Sequence, residues 1–265
     1  MNVNELILTH ILNCSRADLH LKGFALNADQ QKMYDDIMRR FDAGEPLQYI
    51  LGECEFMGIS FKVDPRVLIP RPETELLVET VLNVIKEEEQ SGMINGLDIG
   101  TGSGNIPIAL VKHDPRIRMA AIDVSSGALE VARENASRNN VFSRIEFIKG
   151  NVFEWFDQVQ TRRFSFIISN PPYIKTGDLA GLPQDVQKEP QNALNGGEDG
   201  LRFYEHIVKN AEKVLQPGGS LFFEIGEAQG KSLENLLTRQ GSFVNILVNQ
   251  DYNQRDRIVQ AQLKI

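Results

Sequence analysis

The chain has 265 residues, 42% hydrophobic and 24% charged, which suits a globular protein of one large domain or two modest ones. A formal net charge of -8 offers no broad electrostatic footprint for a nucleic-acid backbone. No apolar run approaches bilayer-spanning length. The two distant cysteines (Cys14 and Cys54) and four scattered histidines have neither disulfide nor metal-ligand spacing.

The opening residues, MNVNELILTH, mix acids and amides into an apolar pattern without a basic leader. No secretory signal is expected there, and the chain is expected in the cytoplasm. Leu6, Ile7, Ile11 and Leu12 recur near a 3.6-residue period, as do Met33, Ile37, Met38 and Phe41 after Asn27 and Asp29 as caps. A small N-terminal helical domain is therefore expected over residues 1–43. Glycines and prolines punctuate the stretch from Gly44 to Pro72, which predicts a hairpin or linker over 44–72.

The remainder, 73–265, begins with a predicted helix over 74–89 whose acidic end, Glu87-Glu88-Glu89, is expected to be solvated. The apolar runs INGLDI, RMAAID, IEFI, FSFIIS and GSLFFEI then alternate with helical stretches after Gly104, over 125–139, over 201–215 and near 230–239. A turn is expected at Pro217-Gly218-Gly219. Such alternation predicts an α/β fold with a doubly wound, mostly parallel sheet. The connection between FVNILV and RIVQAQL, NQDYNQRD, is too short for a helical crossover. Those last two strands should pair antiparallel at one edge.

Two stretches carry chemistry. LDIGTGSGNIPIAL (97–110) ends a strand, turns on Gly100, Gly102 and Gly104, and enters a helix. In an open α/β sheet the first strand-to-helix crevice receives nucleotide-like ligands. The spacing is not the dinucleotide GxGxxG, and the lysine of a phosphate-binding loop is missing. Asp98 sits at the end of that strand, and Asp123 closes the next, where a carboxylate can accept hydrogen bonds from ribose hydroxyls. Two acids without a nearby cation suit a cofactor with a ribose and a positive charge, as in S-adenosylmethionine. The competing reading is a tight turn with a packing glycine and an exposed acid.

The second stretch is Asn170-Pro171-Pro172-Tyr173, at the carboxyl end of the fourth strand of the sheet. A planar NH2 nitrogen is a poor nucleophile because its lone pair is delocalised. The Asn170 side-chain oxygen and the Pro171 carbonyl can each accept one N–H of such a group, aiming its lone pair at a methyl sulfonium. The prolines stiffen the turn, and Tyr173 can lie flat against the planar group. The competing reading is a proline-terminated strand with an aromatic plug.

These features together resemble the class I S-adenosylmethionine-dependent methyltransferases, whose seven-stranded sheet ends in a reversed hairpin. The run GEPLQYILGECEFMGISFKVDPRVLIPRPETE, the later EPQNALNGGEDGLRFY and the terminal RDRIVQAQL are similar to the HemK family of release factor glutamine-N5 methyltransferases. Relatives acting on a ribosomal protein usually differ at the segment that here reads Pro70-Arg71-Pro72-Glu73-Thr74-Glu75. The resemblance implies S-adenosyl-L-methionine as cofactor and S-adenosyl-L-homocysteine as product. It implies cofactor contacts from Gly100, Thr101, Gly102, Ser103, Gly104, Asp123 and Asn170, with Trp155 by the adenine; a Trp155 packed in the core is the alternative. Asn170, Pro171 and Tyr173 would be catalytic and, with Pro172, would hold the substrate glutamine.

Leu68 stands where some members place an aromatic ring. Arg71 and Glu73 are candidates to brace the cofactor end of the linker, whereas Thr74 and Glu75 are expected to cap the following helix. The implied partner is a release factor presenting a Gly-Gly-Gln loop, gripped by the N-terminal helices and entering past an irregular 174–200 segment. The protein itself would be a monomer, with no nucleic acid or membrane. Rival readings are a ribosomal-protein glutamine methyltransferase, a DNA or RNA amino-methyltransferase, and a nonenzymatic adaptor.

Overall fold

Helices begin where the chain supplies side-chain acceptors for their first amides. In the computed structural model, which describes residues 2–22, 24–87, 92–159 and 161–265, Asn2 caps α1 (Val3–Leu12). After α2 (Arg16–Lys22), Asn27 and Gln30 form a reciprocal capping box on α3 (Ala28–Asp42). Asp29, also expected as a cap, instead lies in the first turn, where its charge favours the helix dipole. Ile7 and Ile37 pack together with Tyr34, Met38 and Phe41 around them, while Met33 is exposed.

The expected linker contains one more helix, α4 (Leu47–Leu51), which Pro46 precedes and Gly52 closes at φ 76°. Leu47 joins the cluster of Ile7 and Ile37, so this turn of helix packs on the N-terminal bundle. A hairpin of β1 (Glu53–Phe56) and β2 (Ile59–Lys62) follows. Its two turn residues, Met57 and Gly58, both have positive φ, the signature of a tight turn that matches strand twist. Pro72 opens α5 (Pro72–Glu87), where its missing N–H costs nothing. Glu88 and Glu89, expected in the solvated helix end, lie outside the described residues.

The α/β portion runs β3 (Ile94–Ile99), α6 (Asn105–His113), β4 (Ile117–Asp123), α7 (Ser126–Arg138), β5 (Ile145–Lys149), α8 (Val152–Gln158) and β6 (Phe164–Ser169). It continues with α9 (Arg202–Asn210), β7 (Leu215–Glu224), α10 (Gly230–Gln240), β8 (Phe243–Gln250) and β9 (Asp256–Leu263). Seven strands form one sheet in the order β5-β4-β3-β6-β7-β9-β8, in which β9 is antiparallel to the other six. The reversed final hairpin matches the expectation. The Pro217-Gly218-Gly219 turn does not stand apart from its strand. It lies inside β7 as an irregularity that shifts the register with β6 between Phe164 and Phe166, with Gly218 at φ 76°.

Alternate residues of each strand feed two cores. Ile167 and Phe223 face α8, α9 and α10 with Trp155, Phe156, Tyr204, Ile207 and Leu237. Phe166, Ile168 and Phe222 face α5 and α6 with Leu77, Val81, Ile108 and Val111. Each such fully buried side chain contributes roughly 1.5–3 kcal/mol. The chain winds outward from β3 to β5, then returns to place β6 against the other side of β3. That reversal leaves a crevice at the carboxyl ends of β3 and β6, the usual ligand position in such sheets.

Candidate active site

Gly100, Gly102 and Gly104 have φ of 80°, 54° and 80°, so the turn after β3 needs a conformation that residues with a Cβ resist. A Cβ on Gly100 or Gly102 would meet nothing within 4 Å, whereas one on Gly104 would press on Ala132 and Ile108 at 3.1 Å. The first two glycines thus leave space open, and the third lets α6 approach α7. A cavity of about 290 Å³ lies over this turn, lined by Gly100, Gly102, Asp123, Asn170, Pro171 and Pro172 among others.

Asp123 is held from both sides. Its Oδ2 accepts the Gly102 amide at 2.9 Å and its Oδ1 accepts the Ser125 amide at 2.8 Å. Burial raises its carboxyl above the usual range, and these amides draw it back. Asp98 is more extreme. It is fully buried, and neither carboxylate oxygen has a hydrogen-bond partner of good geometry among the described residues. Burial pushes it up to about 7, while the nearby Thr101 hydroxyl pulls it back a little. Asp98 lines neither cavity itself, but a buried acid directly behind a cavity-lining turn suits a ligand that brings positive charge.

Four of the residues expected at the cofactor, Gly100, Gly102, Asp123 and Asn170, line the cavity. Thr101 and Ser103 are buried in the turn and, like Gly104, do not line it. Trp155, expected by the adenine with core packing as the alternative, does not line the cavity. Residues 152, 155 and 156 share the inward face of α8, and Trp155 sits 5% exposed in the core, edge-on to Phe156. The cavity wall there is made by Val152, Phe153 and Phe203, with Arg202 over the Phe153 ring at 4.5 Å.

The tetrapeptide lies at the end of β6, beside the glycine turn. Ser169 Oγ donates to the Ile99 carbonyl at 2.6 Å, tying the two strand ends together. A second cavity, about 200 Å³, adjoins on the far side and is lined by Arg71, Tyr173, Ile174 and Val186. Leu68, Asn170, Pro171 and Ala193 line both cavities. Asn170 and Pro171 thus stand between the two cavities, with Pro172 facing the larger and Tyr173 the smaller. Burial pushes the Tyr173 phenol up to about 12, so it stays protonated.

Several supports escaped sequence reasoning. Gln229 Nε2 donates to the backbone carbonyls of Tyr173 at 3.2 Å and Gly200 at 3.1 Å. A Cβ on Gly196 would come within 2.7 Å of the Pro172 carbonyl, and one on Gly200 would overlap the Tyr173 carbonyl oxygen. Gly196 and Gly200 of the NGGEDG run thus lie directly on the backbone of Pro172 and Tyr173, whereas Gly197 faces the Arg202 side chain. Asn170 Nδ2 donates to Thr74 Oγ1 at 3.2 Å, and Thr74 Oγ1 donates to Glu224 Oε2 at 2.6 Å. Thr74 therefore does not cap α5, and Glu75 instead accepts the Met57 amide at 2.7 Å.

Arg71 donates to the buried Glu189, which also accepts the Ile69 amide at 3.0 Å and so ties the linker to the 174–200 segment. Glu73 lines neither cavity. The 174–200 segment is irregular, with short 3-10 turns, and contributes Pro190, Asn192 and Ala193 to the larger cavity. One signal pointed to Glu224: it ends an apolar strand with an acid, as Asp98 and Asp123 do. Among the described residues no group of three His, Cys, Asp or Glu gathers as a metal site, and no helix is long and apolar enough to cross a membrane.

Known proteins share both parts of the chain. Residues 72–251 match the family model described as the methyltransferase small domain, and residues 2–52 match the PrmC N-terminal domain, which ends at the glycine closing α4. A release factor glutamine methyltransferase of Thermodesulfovibrio yellowstonii is 40% identical over 97% of this chain and 90% of its own length. The protein of that name from Geobacter sulfurreducens is 38% identical over 98% of this chain and 88% of its own. Among solved structures, the hMettl16 catalytic domain in complex with MAT2A 3'UTR hairpin 1 superposes with a TM-score of 0.64 at 18% identity. The match covers 79% of this chain and 76% of that one, a likeness of fold alone.

Proposed function

The chain belongs to the release factor glutamine methyltransferase family, and from that membership we propose how its own residues carry out the reaction. The reaction is transfer of a methyl group from S-adenosyl-L-methionine to the side-chain nitrogen of the glutamine in a release factor's Gly-Gly-Gln loop. S-adenosyl-L-methionine, when bound, supplies a methyl group made electrophilic by its sulfonium. Gly100 and Gly102 offer it an open backbone, and the remaining lone pairs of Asp123 accept from its ribose hydroxyls. Val152, Phe153 and Phe203 give an apolar wall for the adenine, and the Asp98 carboxylate favours the positive charge. Thr101, Ser103 and Gly104 shape the turn from within.

In this reading the larger cavity receives the cofactor and the smaller one the glutamine side chain. Asn170 Oδ1 and the Pro171 carbonyl each accept one N–H of the glutamine amide, while Pro172 stiffens the turn and Tyr173 covers the planar group. The nitrogen lone pair is thereby turned out of conjugation toward the methyl carbon. Transfer would exchange the methyl carbon's bond to sulfur for one to that nitrogen, with S-adenosyl-L-homocysteine as the product. The extra proton then passes from the cationic amide to water, so no general base acts beforehand. Catalysis is orientation with electrostatic support.

The observation that carries this reading is the partition: Asn170 and Pro171 border both cavities. We assign the body of the release factor to the N-terminal helices, which touch the entrance segment where Lys188 Nζ donates to the Ala43 carbonyl at 2.9 Å. The enzyme would work as a cytoplasmic monomer. Incubation with labelled methyl donor and purified release factor, followed by mass spectrometry, should place the label on the glutamine side-chain nitrogen. Asn170→Ala should lower turnover at least about 100-fold while the protein stays folded. Label on another atom, or full turnover by the variant, would overturn the assignment.

A further inference from the structure

A carboxamide has nearly the same outline after a half-turn about its last bond, which exchanges a donor for an acceptor. The clamp works in one orientation alone, with the Asn170 oxygen toward the incoming N–H. A chain of two further side chains selects it. Asn170 Nδ2 lies 3.2 Å from Thr74 Oγ1, which lies 2.6 Å from Glu224 Oε2. Thr74 is 2% exposed and Glu224 1%, so water does not readily replace either contact. A threonine hydroxyl carries one hydrogen. An ionised carboxylate only accepts, so it takes that hydrogen and leaves Oγ1 with lone pairs to offer Asn170. The NH2 of Asn170 must then face Thr74, and its oxygen is left for the substrate.

We infer that Thr74 and Glu224 are positioning residues that hold the acceptor side of Asn170 toward the substrate amide, an inference that rests on the methyl-transfer reading above. Protonation of Glu224 lets the chain reverse. Its O–H donates to Thr74, Thr74 donates to Asn170 Oδ1, and an NH2 is presented to the substrate NH2. Donor then meets donor, and the clamp fails.

The groups around Glu224 come from several elements. Arg71 and Glu73 stand at the start of α5 with Thr74, Arg257 comes from β9, and Tyr173 follows β6. Tyr204 of α9 donates its hydroxyl to the Glu224 backbone carbonyl at 2.8 Å. Burial raises the Glu224 carboxyl to about 7; Thr74, Arg257 and Arg71 lower it, and Glu73 raises it. The working orientation therefore belongs to the alkaline side of neutrality, and turnover falls as pH drops through that region.

The test uses the full chain with saturating methyl donor and release factor, reading kcat and KM separately on both sides of neutrality. Asn170 side-chain amide protons are followed by NMR in parallel. Thr74→Val should lower kcat about tenfold or more with cofactor affinity within about twofold, and Thr74→Ser should restore most of it. Glu224→Gln should give a reduced kcat without the acid limb. In the wild type the Asn170 amide protons should shift with pH near neutrality, and in Glu224→Gln they should not.

An unchanged kcat in Thr74→Val, or a retained acid limb in Glu224→Gln, would overturn the relay. So would wild-type Asn170 protons indifferent to pH, a readout that survives if a variant fails to fold. If the wild type methylates no release factor, the substrate reading fails instead, and the NMR titration still decides the relay.

Discussion

The glycine turn and the amide clamp sit side by side at the carboxyl ends of adjacent parallel strands, yet they are built in opposite ways. The turn takes its shape from three glycines within five residues, Gly100, Gly102 and Gly104 at positive φ, and is then pinned by Asp123, Asn135 and Ser169. The clamp is held from far along the chain, by Thr74 before it and by Gly196, Gly200, Glu224 and Gln229 after it. A ligand-binding turn needs unusual backbone angles, which short-range composition can encode. A clamp that must fix the direction of a neutral amide needs rigid supports on several sides, and those come only from tertiary packing.

The largest expected effect tests the turn's side of this contrast. Asp98 is held at about 7 by burial, against an ordinary 3.8. A raised carboxyl binds a proton in the folded state that the unfolded chain has already lost between about pH 4 and pH 7. Stability of the cofactor-free protein therefore falls as pH rises through that window, by about 4 kcal/mol in all. Asp98→Asn should remove this slope, raising stability above neutrality and changing little below pH about 4, while weakening cofactor binding. Chemical denaturation against pH measures it, and an unaltered slope would show that burial does not raise the Asp98 carboxyl.

Next comes the clamp's side. Gly200 has φ 78°, and an added Cβ would overlap the Tyr173 carbonyl oxygen. Gly200→Ala should cost about 2–3 kcal/mol of stability or clamp geometry. Turnover should drop more than about tenfold while cofactor affinity stays within about twofold. Calorimetry with the methyl donor beside single-turnover kinetics separates the two. A proportionate loss of both would mean the turn and the clamp are one unit.

The smallest effects sharpen where the cofactor side ends. Phe153 lines the larger cavity and Trp155 does not. Phe153→Ala should weaken cofactor binding about tenfold, worth about 1.4 kcal/mol. Trp155→Phe should lower stability by about 1–2 kcal/mol and leave cofactor affinity within about twofold. Reversed outcomes would return Trp155 to the adenine.

Much of the candidate site was legible in the residues. DIGTGSG, Asp123 and NPPY mark two adjacent strand ends, because a glycine cluster after an apolar run and a proline pair after another have few uses other than shaping a crevice. Asp98 was visible as a strand-end acid, but its lack of a partner was not, since burial depends on what covers it. The choice between adenine and core for Trp155 was not legible, because an aromatic in a segment says nothing about which side of a short helix it occupies. The helix over 47–51 was hidden among prolines and glycines that usually signal extended chain; packing of Leu47 against Ile7 and Ile37 outweighs that local tendency.

From the amino acids alone came the alternation of strands and helices, the reversed last pair and the two marked turns, since periodicity and backbone-special residues act over a few positions. The folded arrangement decided what lies between and behind them: the partition between two cavities, the glycines pressed on the clamp, and the threonine and glutamate behind Asn170. Hydrogen bonds and steric contacts join residues by distance in space, and Thr74, Asn170 and Glu224 become neighbours only when α5, β6 and β7 meet at one end of the sheet.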